Sequence, residues 1–363
     1  MSPNRPVALV EDDELLDEVL KLAAAAGCTV ERVADPAGLR QRWSSAPLII
    51  LDPAATRDCV DIGLPRRGSV YVVCAGPPPP DVWERAVSLG AERVIWLPEG
   101  ETWLAGALAD AAEAPAGTRG KVLAVVGGRG GAGASVFAVS VGLTALRGGS
   151  SVLLIDCDPL GGGLDLVLGA ETDSGLRWPD MHLHDGRIAA SSLHSALPGR
   201  THGAARLTML SGAREGMAPE PDAVSAVLEA GRRAGETVVC DLSRPMDRGA
   251  GAALERADLS IVVVPAEVRA CAAAKLVTRR MIDQGAHPQL IVRGPAPGGL
   301  LAEEVADAIG IPLLTTMRPE PNLGRLLERG EFHPRPHGPL AKAARATLRT
   351  LATHPTGELR SAS

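Results

Sequence analysis

Residues Lys121–Ser135 read KVLAVVGGRGGAGAS, and Val152–Asp165 read VLLIDCDPLGGGLD. The first stretch is an apolar strand running into a glycine-rich loop, and Val136–Leu146 after it has the composition of a helix. Strand, glycine loop and helix N-terminus together form an anion site, because consecutive backbone N–H groups converge there and the helix dipole favours negative charge. Glycine suits such a loop because the backbone must take positive φ and approach a ligand closely. The second stretch is another apolar strand. It ends in Asp156, with a further carboxylate, Asp158, two residues on.

Two phosphate-binding frames fit the loop. Gly128-x-Gly130-x-x-Gly133 satisfies G-x-G-x-x-G, and Asp156, 23 residues after Gly133, stands where a dinucleotide fold places its ribose acid. The alternative, Gly128-x4-Gly133-Ala134-Ser135, is a Walker A loop with Ala where Lys belongs. Further on, VVCDLSR (Val238–Arg244) closes an apolar strand with a lone Asp241 suited to a Mg²⁺ water shell. ADLSIVVVP (Ala257–Pro265) follows. The one tyrosine, Tyr71, lies far upstream, so the Tyr and Lys pair of a short-chain dehydrogenase is absent.

Taken in order, RGGAGAS, VLLIDCDPLGGGLD, VVCDLSR and ADLSIVVVP resemble the ParA/MinD superfamily of deviant-Walker P-loop ATPases over Arg119–Thr353. The likeness is to its CpaE/TadZ-like branch and the actinobacterial septum-site-determining Ssd-like proteins. It implies a P-loop NTPase fold with a mostly parallel sheet, binding ATP and Mg²⁺ through Gly128, Arg129, Gly130, Gly131, Ala132, Gly133, Ala134, Ser135 and Val136, with Arg293 near the base. By position Gly130, Gly131 and Gly133 would cradle phosphates, Ser135 would ligate Mg²⁺ and Asp241 would hold the metal through water. Asp158 would orient an attacking water, with Asp156 beside it. Arg129 stands where the family has the Lys that reaches the partner's nucleotide in a sandwich dimer.

Two departures matter. Ala134 replaces the lysine that pairs with β- and γ-phosphates, and losing one partner of a close, desolvated charge pair costs roughly 2–5 kcal/mol. Val292 replaces the family's adenine-reading Asn. Weak nucleotide binding and little or no hydrolysis are expected.

Upstream, Pro6–Ala112 alternates short apolar runs with helical stretches, with strands expected at Val7–Val10, Thr29–Val33, Leu48–Leu51, Val70–Cys74 and Arg93–Trp96. Five βα units imply a parallel sheet covered on both faces. The order resembles a response-regulator receiver domain, CheY-like, in which Asp12, Asp13 and Asp52 occupy the family's Mg²⁺ and phosphoacceptor positions. Cys74 stands in place of its Thr/Ser and Leu97 in place of its Lys, which reads as a degenerate receiver kept for binding or dimerising. The expected organisation is a receiver-like domain over 1–112, a small-residue linker over 113–120, a P-loop domain over 121–353 and a tail over 354–363, both domains being three-layer αβα.

Composition narrows the function. Five Trp, two Phe and one Tyr in 363 residues leave no stacking platform for single-stranded nucleic acid. A net charge of −6 gives no reason to expect nucleic-acid binding. Six scattered cysteines without a C-x-x-C pair read as buried thiols in a reducing cytoplasm, and no zinc is expected. His182 with His184, and His333 with His337, read as loop surface, as does the polar, Gly/Pro-punctuated segment Trp178–Gly203. Leu340–Leu351 places Leu340, Ala344, Leu348 and Leu351 on one helical face, with Lys342, Arg345 and Arg349 elsewhere. Such a helix could touch anionic lipid, but its alanine-rich face favours docking on the domain's own core. The resulting expectation is a cytoplasmic, homodimeric scaffold, peripheral to the membrane at most. It would position septum formation or a Tad-type pilus or secretion machine through division or secretion partners. An ATP-driven dimerising switch and, remotely, an NAD(P)-binding oxidoreductase are the alternatives.

Overall fold

The computed structural model describes residues 5–113, 119–181, 188–212, 218–296 and 298–354. The chain forms two compact units, one over Met1–Arg119 with Arg187–Ser191, the other over Gly120–Gly186 with Ser192–Ser363. No helix among the described residues is long and apolar enough to cross a membrane.

The first unit alternates β1 (Val7–Leu9), α1 (Asp13–Ala25), β2 (Glu31–Arg32), α2 (Pro36–Arg42), β3 (Ile49–Leu51), α3 (Pro53–Asp61), β4 (Val70–Cys74), α4 (Pro80–Leu89), β5 (Arg93–Trp96) and α5 (Glu101–Glu113). All five strands are parallel in the order β2-β1-β3-β4-β5. β2 is shorter than the expected Thr29–Val33, and it is an edge strand whose residues are only partly covered. The central strands β1, β3 and β4 are buried throughout, as continuous aliphatic runs require when helices cover both faces.

The second unit begins with β6 (Lys121–Gly127), α6 (Ala134–Arg147), β7 (Val152–Cys157), α7 (Leu164–Leu168), a 3₁₀ turn at Trp178–Asp180, α8 (Ala190–Ala196), β8 (Gly199–His202) and β9 (Ala205–Leu210). It continues with α9 (Pro221–Arg233), β10 (Thr237–Leu242), α10 (Arg248–Glu255), β11 (Leu259–Pro265), α11 (Val268–Asp283), β12 (Gln289–Arg293), α12 (Ala302–Ile309), β13 (Leu313–Met317), α13 (Leu323–Glu328) and α14 (Pro339–Thr353). The eight strands run β13-β12-β11-β6-β10-β7-β9-β8, parallel except for the β8/β9 hairpin.

The structure corrects the reading of Trp178–Gly203 as mostly loop. The segment contains a 3₁₀ turn, α8 and β8. Ala190, Leu193 and Leu197 are buried at helical spacing among the serines and histidine that mask the pattern. His182 and His184 lie outside the described residues, whereas His333 and His337 are exposed.

The strands' C-terminal ends carry the glycine loop and the aspartates, and the opposite end of the sheet is clamped. There the Arg232 Nη2 donates to Asp258 Oδ2 (2.6 Å) and to the Arg256 carbonyl (2.7 Å), while Asp258 Oδ2 also accepts the Val122 N–H (2.7 Å). Both side chains are almost wholly buried. The apolar face of α14 rests on α6 and β13, with Leu340, Ala344 and Leu351 buried and Leu348 packed beside them. Docking on the domain's own core is therefore what this face does here. The Lys121 ammonium donates to the last carbonyls of α14, Leu351 (3.0 Å), Ala352 (2.9 Å) and His354, placing a cation at the negative end of the helix dipole.

Candidate functional site

β6 delivers the chain to the loop, and sterics decide where glycine is needed. A Cβ on Gly128 would lie 2.7 Å from Val264 Cγ2 and 2.8 Å from Ala274 Cβ, so β11 and α11 can approach only a bare backbone. Gly131 (φ 69°) and Gly133 (φ 95°) adopt the left-handed conformation that turns the loop into α6. The Gly128 N–H donates to the Val263 carbonyl (2.9 Å), tying the loop to β11. Ala132 is buried, while Gly133, Ala134, Ser135 and Val136 are partly exposed at the helix N-terminus.

Behind the loop three aspartates share one sheet end. In register, β10 sets Asp241 beside Asp156 of β7 and Val125 of β6. Asp241 is 4% exposed, and the Ser135 hydroxyl is near enough to favour its ionised form. Burial, with Asp156 and Asp158 nearby, pushes the Asp241 carboxyl well above the usual carboxylate range. Burial likewise pushes Asp156 up to about 6, opposed by the N–H groups of Asp158 (3.1 Å) and Leu164 (3.2 Å) that donate to it. Asp158 is half-buried, and its Oδ1 accepts the Leu160 N–H (3.1 Å).

These facts separate roles that the sequence left together. The Ser135–Asp241 pair is the arrangement a hydrated Mg²⁺ would use, because a hydroxyl and a carboxylate lie close together at the head of the phosphate loop and, among the described residues, the buried carboxylate forms no ion pair. The residues therefore fit a magnesium nucleotide on the metal side, where Mg²⁺ would neutralise phosphate charge. On the lysine side they do not, because Ala134 offers no cation. Asp156 is 3% exposed and engaged by backbone donors and Ser211 Oγ (3.5 Å), so it organises the 156–164 turn and presents no oxygen to a ribose.

Arg129 does not project from the loop. Its Nη2 meets Glu267 Oε1 and Oε2, each at 3.0 Å, and its Nη1 donates to the Gly130 carbonyl (3.0 Å). Arg293, at the end of β12, is partly buried and stands beside Gly133. Burial and the charge of Arg129 push its guanidinium pKa below the usual arginine value, with Glu267 opposing them. Val292 is buried in β12. A cavity of about 490 Å³ opens from Gly133 and Val136 toward Arg293, Glu320 and Asn322. Sequence reasoning did not find Glu267, Glu320 or Ser211, since each gains meaning only from a partner distant in the chain. The one local hint was the AE that follows IVVVP.

In the first unit the acidic residues are each engaged separately. Asp52 is 2% exposed; its Oδ2 accepts the N–H groups of Glu11 (2.7 Å) and Asp12 (3.2 Å), and its Oδ1 that of Ala55 (2.7 Å). Asp12 caps α1 through the Glu14 and Leu15 N–H groups, and Asp13 pairs with Arg32 at 3.2 Å. Among the described residues no group of three or more His, Cys, Asp or Glu could hold a metal ion. Cys74 is buried, its thiol pushed up to about 11 by burial and by Asp52, and Leu97 is buried. Asp52 thus acts as the N-cap of α3. Asp52→Ala should cost about 1–2 kcal/mol of stability in chemical denaturation, and beryllofluoride with Mg²⁺ should leave wild-type melting unchanged. A beryllofluoride-dependent rise in melting temperature would show that the carboxylate is released to act as a phosphoacceptor.

Comparison with known proteins matches this description. Residues 9–142 match the family described as Rv3660c-like, CheY-like N-terminal domain. The match runs past α5 into the glycine loop and α6. The Mycobacterium tuberculosis H37Rv protein Rv3660c is 44% identical over 346 residues, covering 94% of this chain and 97% of that protein. Among solved structures, the ParA family ATPase of Chlorobium tepidum superposes with a TM-score of 0.51 at 18% identity, covering 62% of this chain and 98% of its own. The septum site-determining protein MinD of Pyrococcus horikoshii, solved with Mg-ADP, gives 0.51 at 19%, covering 64% and 97%. At these identities the likeness is one of fold.

Proposed function

Because the chain belongs to the Rv3660c-like family, with a receiver-like domain ahead of a ParA/MinD-type fold, we propose that it is a positional scaffold that binds Mg-nucleotide weakly and hydrolyses it little or not at all. One observation carries this reading: the Ser135 hydroxyl lies near the buried Asp241 carboxyl, a pair that would suit Mg²⁺, while Ala134 heads α6 where the phosphate-binding lysine would stand. Binding needs the loop and the metal. Efficient hydrolysis needs, in addition, the charge that stabilises the phosphoryl-transfer transition state. Asp158, partly exposed, would be the residue to orient a water if any turnover occurs.

The cellular task we assign is marking a septum site or localising a Tad-type pilus or secretion machine, as a cytoplasmic homodimer working through division or secretion proteins. The domains would be 1–112 and 121–353, joined by 113–120. The resemblance to Ssd-like and CpaE/TadZ-like proteins supports this reading, as does the spent acidic site of the first domain, which suits a binding module. Purified protein should bind Mg-ADP and Mg-ATP with little turnover. ATP hydrolysis at a rate abolished by Asp241→Ala would instead establish an ATPase switch. In cells, a tagged copy should localise to septa or surface machines. A diffuse distribution identical to that of Ala134→Lys, with neither affecting septa or surface structures, would remove the positional reading.

A further inference from the structure

The loop has lost its lysine, yet cations surround it. Arg244 follows β10, and its Nη2 lies 3.6 Å from where a Cβ on Gly130 would sit. Arg293 ends β12, and its Nη1 lies 3.3 Å from the corresponding position on Gly133. In the sheet β10 flanks β6 on one side, and β11 with β12 flank it on the other, so the two guanidiniums reach the loop from opposite flanks. Resting on the nucleotide-binding reading above, we propose that Arg244 and Arg293 hold the phosphates of a nucleotide laid on Gly130–Ser135, replacing the missing lysine from the ends of two neighbouring strands.

Three observations support this assignment. Two nitrogens of Arg129 are tied to Glu267 and the Gly130 carbonyl, whereas among the described residues neither the exposed Arg244 nor the partly buried Arg293 hydrogen-bonds a protein acceptor. Guanidiniums on both flanks of a glycine loop that heads a helix favour an anion laid on that loop. Arginine also presents paired N–H donors that match phosphate oxygens, so it can replace a lysine from a different direction.

The cavity beside Gly133 and Val136 supplies the third. Arg293 sits at its boundary with the loop, and Glu320 lines it. Glu320 is 7% exposed; its Oε2 accepts the Leu340 N–H (3.3 Å), and its Oε1 is buried without a hydrogen-bond partner. A buried carboxylate oxygen lacking a donor is matched by a ligand that carries an N–H or O–H, as a nucleotide's base or ribose does. Phosphates on the arginine pair and the nucleoside in the cavity account for both sets of unmatched groups.

The test is calorimetric titration of the full chain with Mg-pyrophosphate, which has no nucleoside, and with Mg-ADP, on variants whose melting confirms folding. Wild type should bind both. Arg244→Ala and Arg293→Ala should each weaken both by about ten- to a hundredfold, with lysine at either position restoring part of the loss. Glu320→Gln should weaken ADP alone. Arginine variants that bind both probes like wild type, or that lose ADP but not pyrophosphate, would overturn the phosphate assignment and leave nucleotide binding standing. Unaltered ADP binding by Glu320→Gln would overturn the placement of the nucleoside. Wild type that binds neither probe would overturn this inference together with the nucleotide-binding reading.

Discussion

Replacing Asp241 with asparagine is expected to stabilise the ligand-free protein and, in the same molecule, to abolish Mg²⁺-dependent nucleotide binding. The carboxylate is buried beside two others, and among the described residues it forms no ion pair. An ionised group so placed costs several kcal/mol, on the order of 3. Asparagine keeps an oxygen for the Ser135 hydroxyl without that charge. The sign follows from linkage: a carboxyl whose folded pKa is raised above its unfolded value binds its proton more tightly when folded. The stability it contributes is therefore present at low pH and lost as pH rises past about 4, the ordinary aspartate value. Wild type and Asp241→Asn should have similar stability near pH 4 and diverge toward neutrality, the variant being the more stable. Adding Mg-ADP should then raise the wild-type melting temperature alone. A stability difference that does not change with pH would show that the carboxylate is not ionised at a cost in the free protein.

At the opposite end of the sheet, Arg232→Ala should destabilise the second unit by about 3–5 kcal/mol, because it leaves the Asp258 carboxylate buried without its guanidinium. Replacing Arg232 and Asp258 together by apolar residues of similar volume should recover most of that loss. Equilibrium denaturation of the single and double variants would measure it, and an Arg232→Ala cost below about 1 kcal/mol, the range of an exposed pair, would show that water reaches the site. Mg-ADP affinity in the double variant should be unchanged, since the clamp joins the starts of strands whose far ends carry the site. Stability and ligand chemistry thus occupy opposite ends of β6.

What could be read from the sequence was local. The glycine spacing and the strand-end aspartates are short-range patterns, and they mark the turn after β6, the first residues of α6 and the end of β10. The hydrophobic core of αβα layers was equally plain, because β6 and β11 carry the aliphatic runs VLAVV and IVVV. Features that depend on distant partners were hidden. Nothing near Gly128 announces that Val264 and Ala274 forbid a side chain there. Asp52 has the letter of a phosphoacceptor, yet three backbone N–H groups consume it. The β8/β9 hairpin and α8 were obscured by polar residues on their outer faces, where period and composition disagree. Arg244 and Arg293 belong to one site only because β10 and β12 flank the same loop.

The grip of Lys121 on the end of α14 also bears on how the chain is made. β6 emerges first in the second unit, yet it is a central strand whose neighbours are β10 and β11 and whose first residue holds the last helix. Its partners all lie far downstream, so the growing chain must carry an unpaired, strongly aliphatic segment until most of the unit has been synthesised. The first unit pairs only strands close in sequence and can fold while translation continues. Synthesis therefore leaves a folded leading domain tethered to a sticky, unfinished one, and the nascent protein is most exposed to chaperones and to aggregation just before its C-terminal helix leaves the ribosome.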